Sequence, residues 1–147
     1  MGYQIVQVDD SELNPNIAIG VKFPFNGTGI FNKTYTTMEQ ASTNVKSLLL
    51  TRKGERYEQP NFGTDLLNVL FEPNVNELKD FISDTINNAV TYWLPYVSVT
   101  ELIITTLIDD PTLIHDVKIK ISFTVTGTDS EETITIFAGE DGILKVE

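Results

Sequence analysis

Apolar residues recur along this chain first at two-residue spacing, then at three and four, then at two again. These regimes divide it into an arm, a helical middle and a sheet. Ile17, Ile19, Val21, Phe23 and Phe25 alternate with Ala18, Gly20, Lys22 and Pro24, a period of two that predicts an extended arm or edge strand. Pro24 cannot donate to a ladder and argues against a central strand. Asn26-Gly27 and Gly29 mark a turn. The arm is expected to lie on the domain or on a neighbour, the alternative being a disordered terminus.

The first helix is expected over about 37–52, with Thr36 and Glu39 at capping-box spacing and Met38, Ala41, Val45, Leu48 and Leu49 as its apolar stripe. Gly54 stands where a left-handed C-terminal cap is useful. A shorter second helix follows Gly63, capped by Thr64, with Leu66, Leu67, Leu70 and Phe71 apolar and Pro73 as its stop. The third has the longest stripe: Leu78, Phe81, Ile82, Ile86, Ala89, Val90 and Trp93, from an Asn74 cap to Pro95. Such a stripe reads as core.

Beyond Pro95 the period returns to two. Val97 and Val99 lie on one phase and Leu102 and Ile104 on the other, which predicts a bulge near Thr100 and Glu101. Asp109-Asp110-Pro111 is a turn. Val117, Ile119, Ile121, Phe123 and Val125 alternate with Lys118, Lys120, Ser122, Thr124 and Thr126 as a half-buried strand. Ile134 and Ile136, between Thr133, Thr135 and Phe137, make a third. The fold class is therefore α+β: an extended N-terminal arm (1–35), three helices packed on a three-stranded antiparallel meander (36–138), and a C-terminal tail (139–147) tipped by Ile143, Leu144 and Val146.

The 147 residues fit one domain. No apolar run approaches the ~20 residues of a bilayer span, and the N-terminus has no basic region ahead of an apolar block. The chain has no cysteine, which excludes disulfides and thiolate chemistry. A net charge of −11 is unfavourable for nucleic acid and anionic lipid. Four of its ten cations, Lys46, Arg52, Lys53 and Arg56, crowd one segment. There they suit the negative C-terminal end of the first helix, or face a partner.

Reactive groups are sparse. His115 is the only histidine and has no visible partner that would make it a base. Zinc would need three or four ligands. Asp109 and Asp110 before Pro111 read as a turn rather than a cation site, no glycine-rich phosphate loop is present, and no cofactor is implied. Two-carboxylate hydrolysis would have to draw on Glu55, Glu58, Asp65 or Glu72. Glu55 beside Arg56 is more simply a loop-fixing group. The segment 54–73 is ordered in sequence and poor in chemistry, which points to an architectural part.

The run Leu48 to Arg56, then Pro60, Phe62-Gly63, Leu67 and Leu70-Phe71-Glu72-Pro73, resembles the baseplate wedge family of contractile-tailed phages, which extends to type VI secretion and related contractile injection systems. The resemblance covers roughly residues 20–138. Its specific elements are the loop motif Gly54, Glu55, Arg56, Pro60, Phe62 and Gly63 and the Leu-Phe-Glu-Pro that follows. It implies a non-catalytic component of the virion tail baseplate, assembled in the host cytoplasm and present in several copies in a ring. It also implies two partners: the helical bundle of the larger wedge proteins, and the tail sheath protein, whose first ring continues the sheet by strand pairing. Many members carry Glu-Pro-Arg after the third helix at the bundle contact. Here the matching positions are Leu94, Pro95 and Tyr96, so an apolar and aromatic contact is expected. The sheath-pairing edge is expected at Thr133, Ile134, Thr135, Ile136 and Phe137, guarded by Glu131 and Glu132. Family members are often labelled lysozyme-like, and a peptidoglycan hydrolase using Glu55 or Glu72 is the alternative. A generic α+β binding module is a third.

Overall fold

The structure, a computed structural model, describes residues 17–23, 25, 31–69, 75–106, 109–113, 116–139 and 144–146. The arm supplies two short antiparallel strands, β1 (Gly20–Val21) and β2 (Lys33–Thr34). Helix α1 (Thr37–Leu50) starts at a capping box: the Thr36 hydroxyl accepts from the Glu39 N–H, and the Glu39 carboxylate accepts from the Thr36 N–H. Two orphan donors are satisfied there. Its expected end at 52 comes two residues early. Thr51 is extended and returns its N–H and hydroxyl to the Ser47 carbonyl.

Where three helices were expected there are two of substance, α1 and α3 (Val75–Trp93). Between them α2 (Leu66–Val69) is a four-residue turn. Leu70, Phe71, Pro73 and the Asn74 cap lie outside the described residues. Helix α3 stops two residues before Pro95, as proline sterics require.

The second sheet has four strands where three were expected: β3 (Val97–Thr105), β4 (Asp116–Val125), β5 (Glu131–Gly139) and β6 (Leu144–Val146). They stand in that order, each antiparallel to the next. Residues read as a tail thus include a strand. In β3 the register shifts between Val99 and Glu101, which leaves Thr100 as the extra residue of the expected bulge.

The helices cover one face of this sheet. Ala41, Val45, Leu48 and Leu49 of α1 and Leu78, Ile82, Ile86 and Val90 of α3 meet Ile119, Ile121, Phe123, Ile134 and Ile136 in one core. The opposite face carries Lys120, Thr133 and Thr135, and Ser122 shares a hydrogen bond with Thr133. The α3 stripe is narrower than expected. Phe81 is 52% exposed, and Ala89 and Trp93 are half-buried at the helix flank.

Candidate assembly surfaces

The loop after α1 is closed by its own motif. The Gly54 N–H donates to the Pro60 carbonyl at 2.6 Å and Gly54 has φ +87°. It is a turn residue inside the loop, because α1 ended at Leu50; the expected helix-capping role does not hold. The Glu55 carboxylate accepts from the Arg52 N–H at 3.0 Å. Arg56 donates to the Ser47 hydroxyl and lays its guanidinium 3.8 Å from the centre of the Phe62 ring. Phe62 meets Trp93 of α3 edge-on. Gly63 has φ +112°, and a β-carbon there would overlap the Thr51 carbonyl. Thr64, expected to cap α2, instead donates its hydroxyl to the Leu49 carbonyl and its N–H to the Thr51 carbonyl. The cations were expected at the end of α1, but the last turn of that helix holds none. Lys53 pairs with Asp65 at 3.2 Å instead.

Leu94, Pro95 and Tyr96 turn the chain from α3 into β3. Leu94 is buried in the protein's own core, so it is not a free contact surface, while Pro95 is exposed. Tyr96 is half-buried, and its hydroxyl accepts from Asn44 at 2.7 Å. Asn44 accepts from Gln40, which accepts from the Thr34 hydroxyl at 2.6 Å. This polar chain ties arm, helix and corner together.

Beside the corner, a groove of about 890 Å³ runs between the loop and α3, lined by Lys53, Asp65, Phe81, Asp84, Tyr92 and Trp93 among others. Tyr92 is 75% exposed and stacks edge-on against Trp93. Phe81, Asp84, Asn88 and Tyr92 follow one another at three- and four-residue steps. That spacing was available in the sequence, but Phe81 was assigned to the core stripe and the other three were not read as a face.

The edges of the four-stranded sheet differ. No strand pairs with the far side of β3 among the described residues. Strand β5 pairs along its length with β4, and β6 covers it at Ile136, Phe137 and Ala138. The expected edge of Thr133–Phe137 is therefore sealed over Ile136 and Phe137 and uncovered, among the described residues, over Glu131–Thr135. Hydrogen-bond phase decides which backbone groups face out. The Thr126 N–H donates to the Tyr96 carbonyl across the β3–β4 junction, so even-numbered β4 residues bond toward β3 and odd-numbered ones toward β5. The continuous β4–β5 register pairs Ile121 with Ile134 and Ile119 with Ile136. Thr133 and Thr135 accordingly direct their N–H and C=O groups away from β4.

The β3–β4 turn is anchored to α3. Both oxygens of Asp109 lie within 2.9 Å of Lys79 Nζ, and the Thr106 N–H and hydroxyl donate to the same carboxylate. The Lys79 hydrogen bond, then those from Thr106, hold the Asp109 carboxyl down to about 2. Thr112 lowers Asp110 in the same way. Both aspartates are committed to the turn. His115 and Glu72 lie outside the described residues. No group of three or more potential metal ligands occurs among the described residues, and no helix among them is long and apolar enough to cross a membrane.

The family model described as baseplate wedge protein gp25 matches residues 38–130, more than half of the chain. The chain belongs to the gp25 baseplate wedge family. The matched segment runs from α1 through the loop, the groove and α3 to the turn before β5. It stops short of β5 and leaves the arm ahead of it. A crystal structure of a Geobacter sulfurreducens protein that carries the provisional name tail lysozyme has the same fold. Its TM-score is 0.62 at 17% identity, covering 71% of this chain and 91% of that one. No curated protein matches the sequence. Wedge-family membership makes the protein a component of a phage-tail baseplate, within a family that is structural.

Proposed function

We propose that this wedge protein joins the helical bundle of the larger wedge proteins to the first sheath ring and starts sheath assembly by strand pairing. The observation that carries the reading is the outward row of backbone groups on Thr133 and Thr135, next to a β6 that makes three pairs with β5 among the described residues. Unpaired backbone amides and carbonyls recruit another strand by β-augmentation. A sheath strand would take Glu131–Thr135 directly and reach Ile136 and Phe137 by displacing β6. Strand β3 is the poorer site because its bulge at Thr100 breaks the regular spacing that an added strand needs.

On the helical side, the groove and the exposed Pro95 and Tyr92 form the seat for the wedge bundle. The rings of Phe81, Tyr92 and Trp93 would supply the anchors that carry most interface energy. The role is non-catalytic. Glu55 is engaged by the Arg52 N–H and Asp65 by Lys53, so both carboxylates serve the loop.

The test is Thr135→Pro. It removes an outward N–H and leaves the β4 ladder intact, so the protein should fold while sheath nucleation falls by about tenfold or more, the loss of roughly one edge hydrogen bond and its neighbours. Normal nucleation by folded Thr135→Pro protein would refute the edge assignment.

A further inference from the structure

The arm presents a core-like pattern to the outside. Thr34 of β2 is buried and bonded to Gln40 of α1, and a β-carbon on its partner Gly20 would overlap the Gln40 side chain. Gly20 and Thr34 therefore lie against α1, and alternation within the two strands sends Val21 and Lys33 outward. Ile17, Ile19, Val21, Phe25, Phe31 and Tyr35 are all exposed around them; Ile17, Phe25 and Phe31 exceed 60%. Phe25 stacks edge-on against both Phe23 and Phe31. The rings thus form one patch rather than scattered side chains. Monomeric proteins rarely leave a contiguous apolar surface of this kind uncovered, and two two-residue strands are marginal alone in water.

Charge narrows what covers it. Residues 17–35 contain two lysines and no acidic residue, in a chain of net charge −11. Lys22 and Lys33 form no ion pair among the described residues, and Lys33 sits opposite Val21 in the β1–β2 register. The patch is thus apolar and aromatic with a cationic rim. An anionic lipid surface would attract the rim but repel the acidic body.

We infer that the arm is a docking surface for another tail protein, whose matching face is apolar and bordered by carboxylates. Aromatic side chains enter the apolar centre, and Lys22 and Lys33 meet carboxylates at the edge, where such pairs set specificity and orientation. This contact is separate from the strand-pairing edge and the α3 groove, but it rests on the tail assignment.

The experiment uses assembled tails containing the full chain with p-benzoylphenylalanine in place of Phe25, a solvent-facing position. A second chain carries the crosslinker in place of Tyr57, which is fully exposed on the loop. After irradiation, crosslinked peptides are sequenced. The expected product joins position 25 to a different tail polypeptide, in a segment that combines apolar residues with at least two carboxylates. Lys22→Glu with Lys33→Glu should cut that product by roughly tenfold, the effect of about 1.4 kcal/mol at a charged rim, without changing any product at position 57. Crosslinks to residues 1–16 of the same chain, to a second copy or to lipid would overturn the inference. So would a yield indifferent to charge reversal, or no product from a chain that is present in the tails. Absence of the chain from tails would overturn the tail reading and this inference with it.

Discussion

Gly54 and Gly63 both adopt positive φ within one loop, yet they should differ in what they tolerate. At Gly54 an added β-carbon meets nothing within 4 Å. Gly54→Ala should therefore cost only the backbone penalty of about 1–2 kcal/mol. Gly63→Ala adds an overlap with the Thr51 carbonyl, and about 3 kcal/mol or more is expected. Denaturant unfolding of the two variants gives the comparison, and equal losses would mean the close approach at Gly63 is not rigid. Asp109 provides a pH test. Its carboxyl lies at about 2 against an ordinary 3.8, so the folded state favours the ionised form. The stabilisation is complete above the unfolded value and lost as pH falls through the folded one. Unfolding midpoints of the wild type should drop more steeply than those of Asp109→Asn between pH 4 and 2. At the corner, Tyr96→Phe removes the acceptor for Asn44 and should cost about 1 kcal/mol. Tyr92→Ala, on the groove, should leave stability nearly unchanged and weaken binding of the wedge partner. Of these residues, the sequence showed the glycines and the turn aspartates through their chemistry. It could not show that Tyr96 closes a hydrogen-bond chain begun at Thr34, since that depends on how arm, helix and corner pack.

At the scale of elements, periodicity carried most of the fold. The capping box at Thr36 and Glu39, the phase change that marks the bulge at Thr100 and the alternation of β4 are local signals, and local sterics and burial decide them. The failures share a cause. The second helix was expected to start from a Thr64 cap, but Thr64 spends its side chain on the Leu49 carbonyl of α1, and among the described residues the helix spans only Leu66–Val69. Phe81 obeys the helical stripe, yet the core beneath α3 is only wide enough for Leu78, Ile82, Ile86 and Val90. Strand β6 is three residues long, too short for periodicity to register, and it exists because Ile136 to Ala138 offer it a template. Burial should follow this corrected stripe. Ile86→Ala, fully buried, should lose about 2–5 kcal/mol in unfolding experiments, whereas Phe81→Ala should lose less than about 1. Comparable losses at the two positions would restore the wider stripe.

At the scale of the molecule, a two-layer body presents three separate surfaces: an aromatic arm with lysines, a groove along α3, and a sheet edge that β6 covers, among the described residues, only at Ile136–Ala138. The motif segment that resembles a wedge family organises none of these as a reactive site; it fixes the loop that walls the groove. Hydrogen exchange at Thr133 and Thr135 is the most direct test of the central claim, that this edge receives a sheath strand. In the free protein both amides should exchange rapidly, as frayed or uncovered strand groups do. On addition of sheath subunits they should slow by about a hundredfold or more, equivalent to roughly 2.7 kcal/mol of new protection. Unchanged exchange at both residues in the sheath-bound protein would contradict it.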